Sequence, residues 1–208
     1  MTVDIRAVGR GAIRAELGRL AFDLFCQHGF AAVTLDDIAA AGSTSRSTVL
    51  RYFGSKEDVV LFALDPLGDG AVGALGDRPA DENDWLALRR SLDTAIGAVT
   101  SDREDALALF RLVWQTSALR ARLAEKQVLW REQLALRLQA RVSDDETALR
   151  AQARAAAALE CLVLAVEHWV NTDGVHPLDE LIDEAFDAVT PLSPGAGSPG
   201  PQRRQPEV

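Results

Sequence analysis

Apolar residues at Ile13, Leu17, Leu20, Ala21, Leu24 and Phe25 recur every three or four positions, the spacing of one face of an amphipathic helix. The run stops at Gly29, which accepts the left-handed backbone of a helix end without a Cβ penalty. Thr34 to Asp37 has the form of a capping box, in which the threonine oxygen accepts an otherwise unpaired helical N–H. Ile38 and Ala39 supply the buried side of this second helix, and Gly42, Ser43, Thr44 and Ser45 end it after about two turns. Ser45 caps a third helix running to about Tyr52, and Ser55 with Asp58 caps a fourth from Lys56 to about Leu64. Short helices joined by tight turns predict a small bundle over residues 10–64, preceded by a flexible arm at 1–9.

Beyond Pro66, the glycine-rich stretch from Gly68 to Gly76 reads as a flexible connection or a poor helix. Longer helical stripes come after it. Trp85, Leu88, Leu92, Ile96 and Val99 form one; Leu109, Phe110, Val113, Trp114 and Ser117 form the next. Leu119, Leu123, Val128, Leu134, Leu138 and Val142 mark a long helix with room for one break. Asp144 or Asp145 caps another, from about Glu146 to Val170. Pro177, at a first helical position, opens the last, with Leu178, Leu181, Ile182, Ala185, Phe186 and Val189 on one face. No strand alternation appears. The expected fold is all-α: the bundle, then a larger helical domain over 65–190. The proline, glycine, serine and charge of 191–208 offer nothing to bury and predict a disordered tail.

Composition sharpens this picture in three ways. With 208 residues, 48% hydrophobic and 25% charged, the chain can bury a sizeable core. No run of 18 apolar residues and no signal-like N-terminal stretch occurs, which predicts a cytoplasmic protein with no membrane partner. Cys26 and Cys161 lie far apart, as reduced packing thiols do. The net charge of −9 is unevenly spread: seven basic and seven acidic groups balance within residues 1–64, and all the excess acidity lies beyond. Phosphate binding depends on the local face, so the first part remains a candidate for DNA.

A two-turn helix, a tight turn and a second short helix make a helix-turn-helix, whose second helix enters the major groove by its N-terminal end. Those residues here are Ser45, Arg46, Ser47 and Thr48; the arginine fork can bridge guanine O6 and N7. Val49 points back into the bundle, Leu50 and Arg51 lie on the groove side, and Lys56 can meet a phosphate.

The stretch from Thr34 to Lys56, TLDDIAAAGSTSRSTVLRYFGSK, resembles the helix-turn-helix pattern of the TetR family of one-component regulators. The resemblance covers residues 10–64 and extends to the rest in helix number and order. The runs at 53–60 and 118–127 are similar to an actinobacterial-type subgroup that includes mycofactocin-system regulators. The resemblance implies phosphate contacts from Thr34, Thr48, Tyr52 and Lys56, and base-edge contacts from Ser45, Arg46, Ser47 and Leu50. It implies a ligand-responsive repressor acting on a palindromic operator as a homodimer, with an apolar or amphipathic effector such as an acyl thioester. Some positions depart from the pattern. Ser43 stands where the turn glycine is expected, Gly42 comes one place early, and Thr44 replaces an apolar turn residue; Leu50 also lacks the frequent aromatic ring.

In the second part, Trp85, Phe110, Trp114, Trp130 and Trp169 are candidates for an apolar effector pocket between the helices, and equally for a dry core. Leu162, Val166, Leu181, Ile182, Ala185 and Phe186 are the expected homodimer contacts of the last two helices, in a two-fold four-helix bundle. His28, His168 and His176 have no metal-ligand partners at useful spacing, and no nucleophile elbow, phosphate-binding glycine loop or acid–base pair stands out. No metal, cofactor or enzymatic activity is expected. The alternative is a helical small-molecule-binding protein or enzyme with a degenerate helix-turn-helix.

Overall fold

The computed structural model describes residues 5–141 and 148–190, apart from the side chains of residues 5–8, 94, 95, 98 and 99. Among the described residues the regular structure is helical throughout: α1 (Ile5–His28), α2 (Leu35–Ala41), α3 (Arg46–Phe53), α4 (Lys56–Leu61), α5 (Asp65–Gly76), α6 (Asp84–Val99), α7 (Arg103–Gln115), α8 (Ser117–Arg141), α9 (Ala148–Asn171) and α10 (Leu178–Val189). The expected stripe end at Val142, the caps at Asp144 and Asp145, the start at Glu146 and the tail at 191–208 lie outside the described residues. The first helix begins at Ile5, so most of the expected arm is helical.

Leu17, Ala21 and Phe25 of α1 close over Ile38 and Ala39 of α2 and Val49 and Phe53 of α3, all buried. This is the expected bundle. It is not separate from the larger helical domain, because α4 runs into α5 through a single 3-10 turn at Phe62–Leu64. Pro66 explains the tightening: it lacks an N–H and its ring crowds the preceding turn, so the helix cannot pass through with regular bonding. The segment from Lys56 to Gly76 is apolar enough in composition to cross a membrane, yet it lies centrally, with Leu61, Leu64, Leu67 and Leu75 buried inside the protein.

The glycine-rich stretch expected as a flexible connection or a poor helix is the helix α5. Its composition reflects packing. A Cβ on Gly68 would stand 2.0 Å from Trp130 Nε1, so the bare backbone is what lets the indole of α8 lie against α5. The helix costs about 1 kcal/mol per interior glycine in propensity and is held by contact with α6 and α8. Arg141, at the end of α8, ties down the loop after α5 by donating to the carbonyls of Leu75, Arg78, Pro79 and Glu82. The long helix α8 is unbroken; Val128 is 42% exposed, so the stripe drawn through it in sequence slips off the core.

The final helix is locked to its own chain. The rings of Phe186 and Trp85 lie 4.5 Å apart, and Trp85 Nε1 donates to the carbonyls of Phe186 (3.3 Å) and Thr190 (3.0 Å). Arg89, almost fully buried, donates to Asp183 (2.5 Å), to Asp93 and to the Asp179 carbonyl (3.3 Å). Leu162, Val166, Ile182 and Phe186 are therefore buried within one chain, which corrects their expected place at a dimer contact. A helix lying on a protein needs an apolar stripe for its own core, and the i, i+4 pattern does not say which body covers it. Of the six residues, Leu181 and Ala185 remain half-buried at the surface, beside exposed Leu164 and Val189.

Phe186→Ala is expected to destabilise the chain by about 3–5 kcal/mol through the cavity it leaves. Urea unfolding joined to sedimentation checks this: a variant as stable as the parent but monomeric would restore Phe186 to an intermolecular role.

Candidate nucleic-acid interface

The reading helix α3 is positioned from behind. Val49 is fully buried and Phe53 nearly so, with the Phe53 ring edge-on to Phe62 at 5.6 Å. Their anchoring turns the other face outward, where Ser45, Arg46 and Ser47 are exposed, Thr48 is half-buried and Leu50 is 36% exposed. Ser45 caps the helix by accepting from the Thr48 N–H (3.2 Å), and its hydroxyl also meets those of Ser47 (2.8 Å) and Thr48 (2.9 Å). Three hydroxyls thus converge at one helix N-terminus. Arg51 and half-buried Tyr52 sit together further along, the guanidinium 5.6 Å from the ring centre.

Thr34 stands at the other approach. It closes a full capping box: its hydroxyl oxygen accepts from the Asp37 N–H (3.2 Å), and its own N–H donates to the Asp37 carboxylate (2.8 Å). The same carboxylate takes the Thr34 hydroxyl proton at 2.7 Å, and these bonds to Thr34 hold Asp37 below its ordinary pKa.

The turn between α2 and α3 accounts for two departures from the family pattern. Ser43 adopts φ +49°, the left-handed position where glycine is usual, at a cost of about 1–3 kcal/mol for such a conformation. Gly42 has ordinary φ but its Cβ would stand 2.3 Å from Leu17 Cδ2. Moving the glycine one place relieves that contact and leaves the strain to serine.

Two charged residues behave differently from the expectation. Arg46, exposed, forms a 3.5 Å ion pair with Asp36 of α2, a partner that no local pattern reveals. Lys56 turns inward: its ammonium donates to the carbonyls of Phe30 (2.7 Å) and Val33 (3.0 Å) and lies 4.1 Å from the centre of the Phe30 ring. Those carbonyls belong to the loop after α1, whose backbone polar groups need partners once the chain folds over them. Lys56 thereby fixes the approach to Thr34 and does not stand free for a phosphate.

Behind the reading head, α4 meets α8. The Arg122 guanidinium donates side-on to both oxygens of Asp58 (2.9 and 3.1 Å), and the Ser55 hydroxyl adds a third bond (2.7 Å). Burial alone would push the Asp58 carboxyl up, but its bonds to Arg122 and Ser55 outweigh that and hold it below the usual range. Asp65 makes a second junction, to Lys126 (2.6 Å) and Arg14 (3.3 Å), and the Arg14 guanidinium lies 4.3 Å from the centre of the Phe62 ring. Sequence reading missed these pairs, since their partners are far apart along the chain and leave no periodic signal.

The five aromatic residues expected to line one pocket are divided. Phe110 gathers Trp114 (5.9 Å between ring centres) and Trp169 (6.3 Å), while Trp85 belongs to the α6–α10 contact and Trp130 to α5. Helical spacing places each on an inner face but not on the same one. Of the five, Trp169 alone borders the cleft of about 740 Å³ between α6, the start of α7 and the α9–α10 loop, and a smaller one of about 320 Å³ lies between α1, α4 and α7.

A tri-helical head with an outward-facing second helix, joined to a larger helical domain, defines a helix-turn-helix DNA-binding protein. The profile of bacterial regulatory proteins, tetR family, matches residues 19–62, and that of the MftR C-terminal domain matches 82–194. The chain belongs to the TetR family of transcriptional regulators. It is 31% identical over 176 residues to a Mycobacterium tuberculosis protein named as a candidate mycofactocin biosynthesis transcriptional regulator, MftR, spanning 82% of this chain and 85% of that one. It is 32% identical over 114 residues to the regulator TcmR of Streptomyces glaucescens, covering 52% of this chain and 50% of TcmR. Among solved structures it shares its fold with Thermus thermophilus FadR, a repressor determined in complex with lauroyl-CoA (TM-score 0.55, 22% identity, 89% of this chain and 100% of that one). FadR of Bacillus halodurans is similar as well (TM-score 0.56, 18% identity, 85% and 94%).

Two outcomes test the site. Lys56→Met is expected to cost about 1–2 kcal/mol of stability while leaving the salt slope of DNA binding unchanged; a slope shallower by about one unit would return Lys56 to the phosphate contacts. For Asp58, a folded pKa below the unfolded one means stability present above the unfolded carboxylate range and lost as pH falls through the folded value. Asp58→Asn is expected to lower the melting temperature at pH 7, and the gap to the parent should close as pH drops below about 4; a constant gap would show that ionisation of Asp58 contributes nothing.

Proposed function

We propose that this regulator is a ligand-responsive repressor that binds a palindromic operator as a homodimer in the cytoplasm and has no enzymatic activity of its own. The observation that carries the DNA-reading role is the first turn of α3, where Ser45, Arg46 and Ser47 are exposed beside half-buried Thr48 on a helix anchored by Val49 and Phe53. Small hydroxyls around one guanidinium suit a major-groove edge: the fork can span O6 and N7 of guanine, and the hydroxyls adapt as donor or acceptor. Thr34, Thr48, Arg51 and Tyr52 are proposed to hold the phosphates on either side, and Leu50 to meet an apolar base edge.

One short helix reads only a few base pairs, so selectivity calls for two heads at a fixed separation. The outer faces of α9 and α10, with Leu164, Leu181, Ala185 and Val189, are proposed to meet their symmetry mates in an isologous contact. An effector that prefers one separation of the heads shifts the population away from the DNA-competent form. The FadR structure with lauroyl-CoA supports an amphipathic effector as the class to examine first.

The decisive experiment is selection of binding sites from random duplexes, followed by affinities of Arg46→Ala on the selected and on random DNA. A loss of about 1–3 kcal/mol confined to the selected site, with relaxed preference at one base pair, is expected. Equal losses on both would leave Arg46 as a phosphate contact only.

A further inference from the structure

We propose that the cleft between α6, α7 and the α9–α10 loop binds a small molecule carrying a carboxylate on an apolar body; this rests on the ligand-responsive reading above and names its site and ligand class. The cleft, about 740 Å³, is within the range of small-molecule sites. Its apolar lining includes Ile96, Pro177 and Leu178, and Trp169 reaches into it from α9.

The polar groups on that lining are not balanced. Trp169 is only 3% exposed and lines the cleft, and among the described residues its indole N–H makes no hydrogen bond, while that of Trp85, away from the cleft, donates within the chain. Beside it is Arg103. Arg103 Nε and Nη2 lie 3.0 and 3.1 Å, and Trp169 Nε1 3.1 Å, from the point a Cβ on Gly174 would occupy, so the donors converge next to a backbone that has to be glycine. Gly174 also has φ +65°.

Charge decides between an anion and a neutral acceptor. Arg103 Nη2 donates to the carbonyls of Asp173 (3.1 Å) and Gly174 (2.5 Å), but no carboxylate pairs with Arg103 among the described residues. The carboxylate of Asp173, whose carbonyl Arg103 holds, is taken by Arg111 at 2.5 Å. Of the other charged groups on the cleft, Arg89 is already paired with Asp93 and Asp183; His176 and Asp179 stand exposed at the mouth. A guanidinium has five N–H donors, more than two carbonyls use, and its planar fork matches a carboxylate. A carboxylate received by Arg103 and the Trp169 N–H would compete with the bonds that hold Asp173 and Gly174. Asp173 itself is in the left-handed region at φ +53°, so ligation acts on a strained loop joining α9 to α10.

The test uses the full chain with decanoate and the uncharged decanol as probes, read by calorimetry, together with salt-sensitive retention on duplex DNA of the same samples. Saturable binding of decanoate, with decanol at least about tenfold weaker, is expected. Trp169→Phe keeps an aromatic ring and removes the donor, and should weaken decanoate about tenfold; Arg103→Gln should weaken it further. Without ligand both should melt somewhat lower, through the smaller ring in one and the lost carbonyl bonds in the other, and both should leave decanol binding unchanged. Absence of saturable decanoate binding, equal binding of the two probes, or unchanged decanoate affinity in Trp169→Phe overturns the proposal. Retention of the ligand-free chain on DNA despite such a result leaves the regulator reading standing, and absence of retention without ligand, with decanoate binding intact, would sink that reading alone.

Discussion

The carboxylate of Asp58 has two duties that compete for the same oxygens. It closes the first turn of α4 with Ser55, and it accepts the side-on guanidinium of Arg122 from α8. A buried carboxylate is costly to desolvate unless every lone pair finds a donor, and here capping and ion pairing satisfy it together. The start of α4, and through Lys56 the approach to α2, is thereby referenced to a helix of the larger domain. Asp65 repeats the arrangement one helix further on, between Arg14 of α1 and Lys126 of α8. The head and the larger domain are thus joined by directed polar contacts as well as by continuous chain.

The interior is fitted around its indoles, each solved differently. Trp130 is admitted by the missing Cβ of Gly68; Trp85 meets Phe186 and hands its N–H to the end of α10. Trp169 stacks edge-on to Phe110 and leaves its N–H toward a cleft. Large rigid side chains bring much apolar area at little entropic cost, but each carries one donor that the fold has to place. Of these three indoles, Trp169 is the one that lines the cleft.

The reading head shows what a short motif tolerates. Ser43 takes a conformation that favours glycine, while Gly42 avoids a collision with Leu17. The strain is local and the helix it precedes is capped by Ser45 and anchored by Val49, so the exposed hydroxyls and Arg46 keep their places. Asp36 beside Arg46 neutralises part of the charge on that face, in keeping with a head that holds equal numbers of acidic and basic groups.

Periodicity and capping chemistry alone determined the helices, the turn of the reading head, the capping box at Thr34 and the cap at Ser55, because those signals are written within four residues of where they act. The same locality set the exposed face of α3. Tertiary structure decided what local pattern leaves open. The glycine-rich stretch became α5 because Trp130, far along the chain, needs the room, and the stripe of Ile182 and Phe186 was spent on α6 and α9 instead of a partner chain. Lys56 turned to carbonyls of the loop after α1, and five aromatics on inner faces went to three different places. An apolar or charged residue announces that it needs a partner; which partner it receives depends on packing between helices distant in sequence, and no spacing along the chain encodes that.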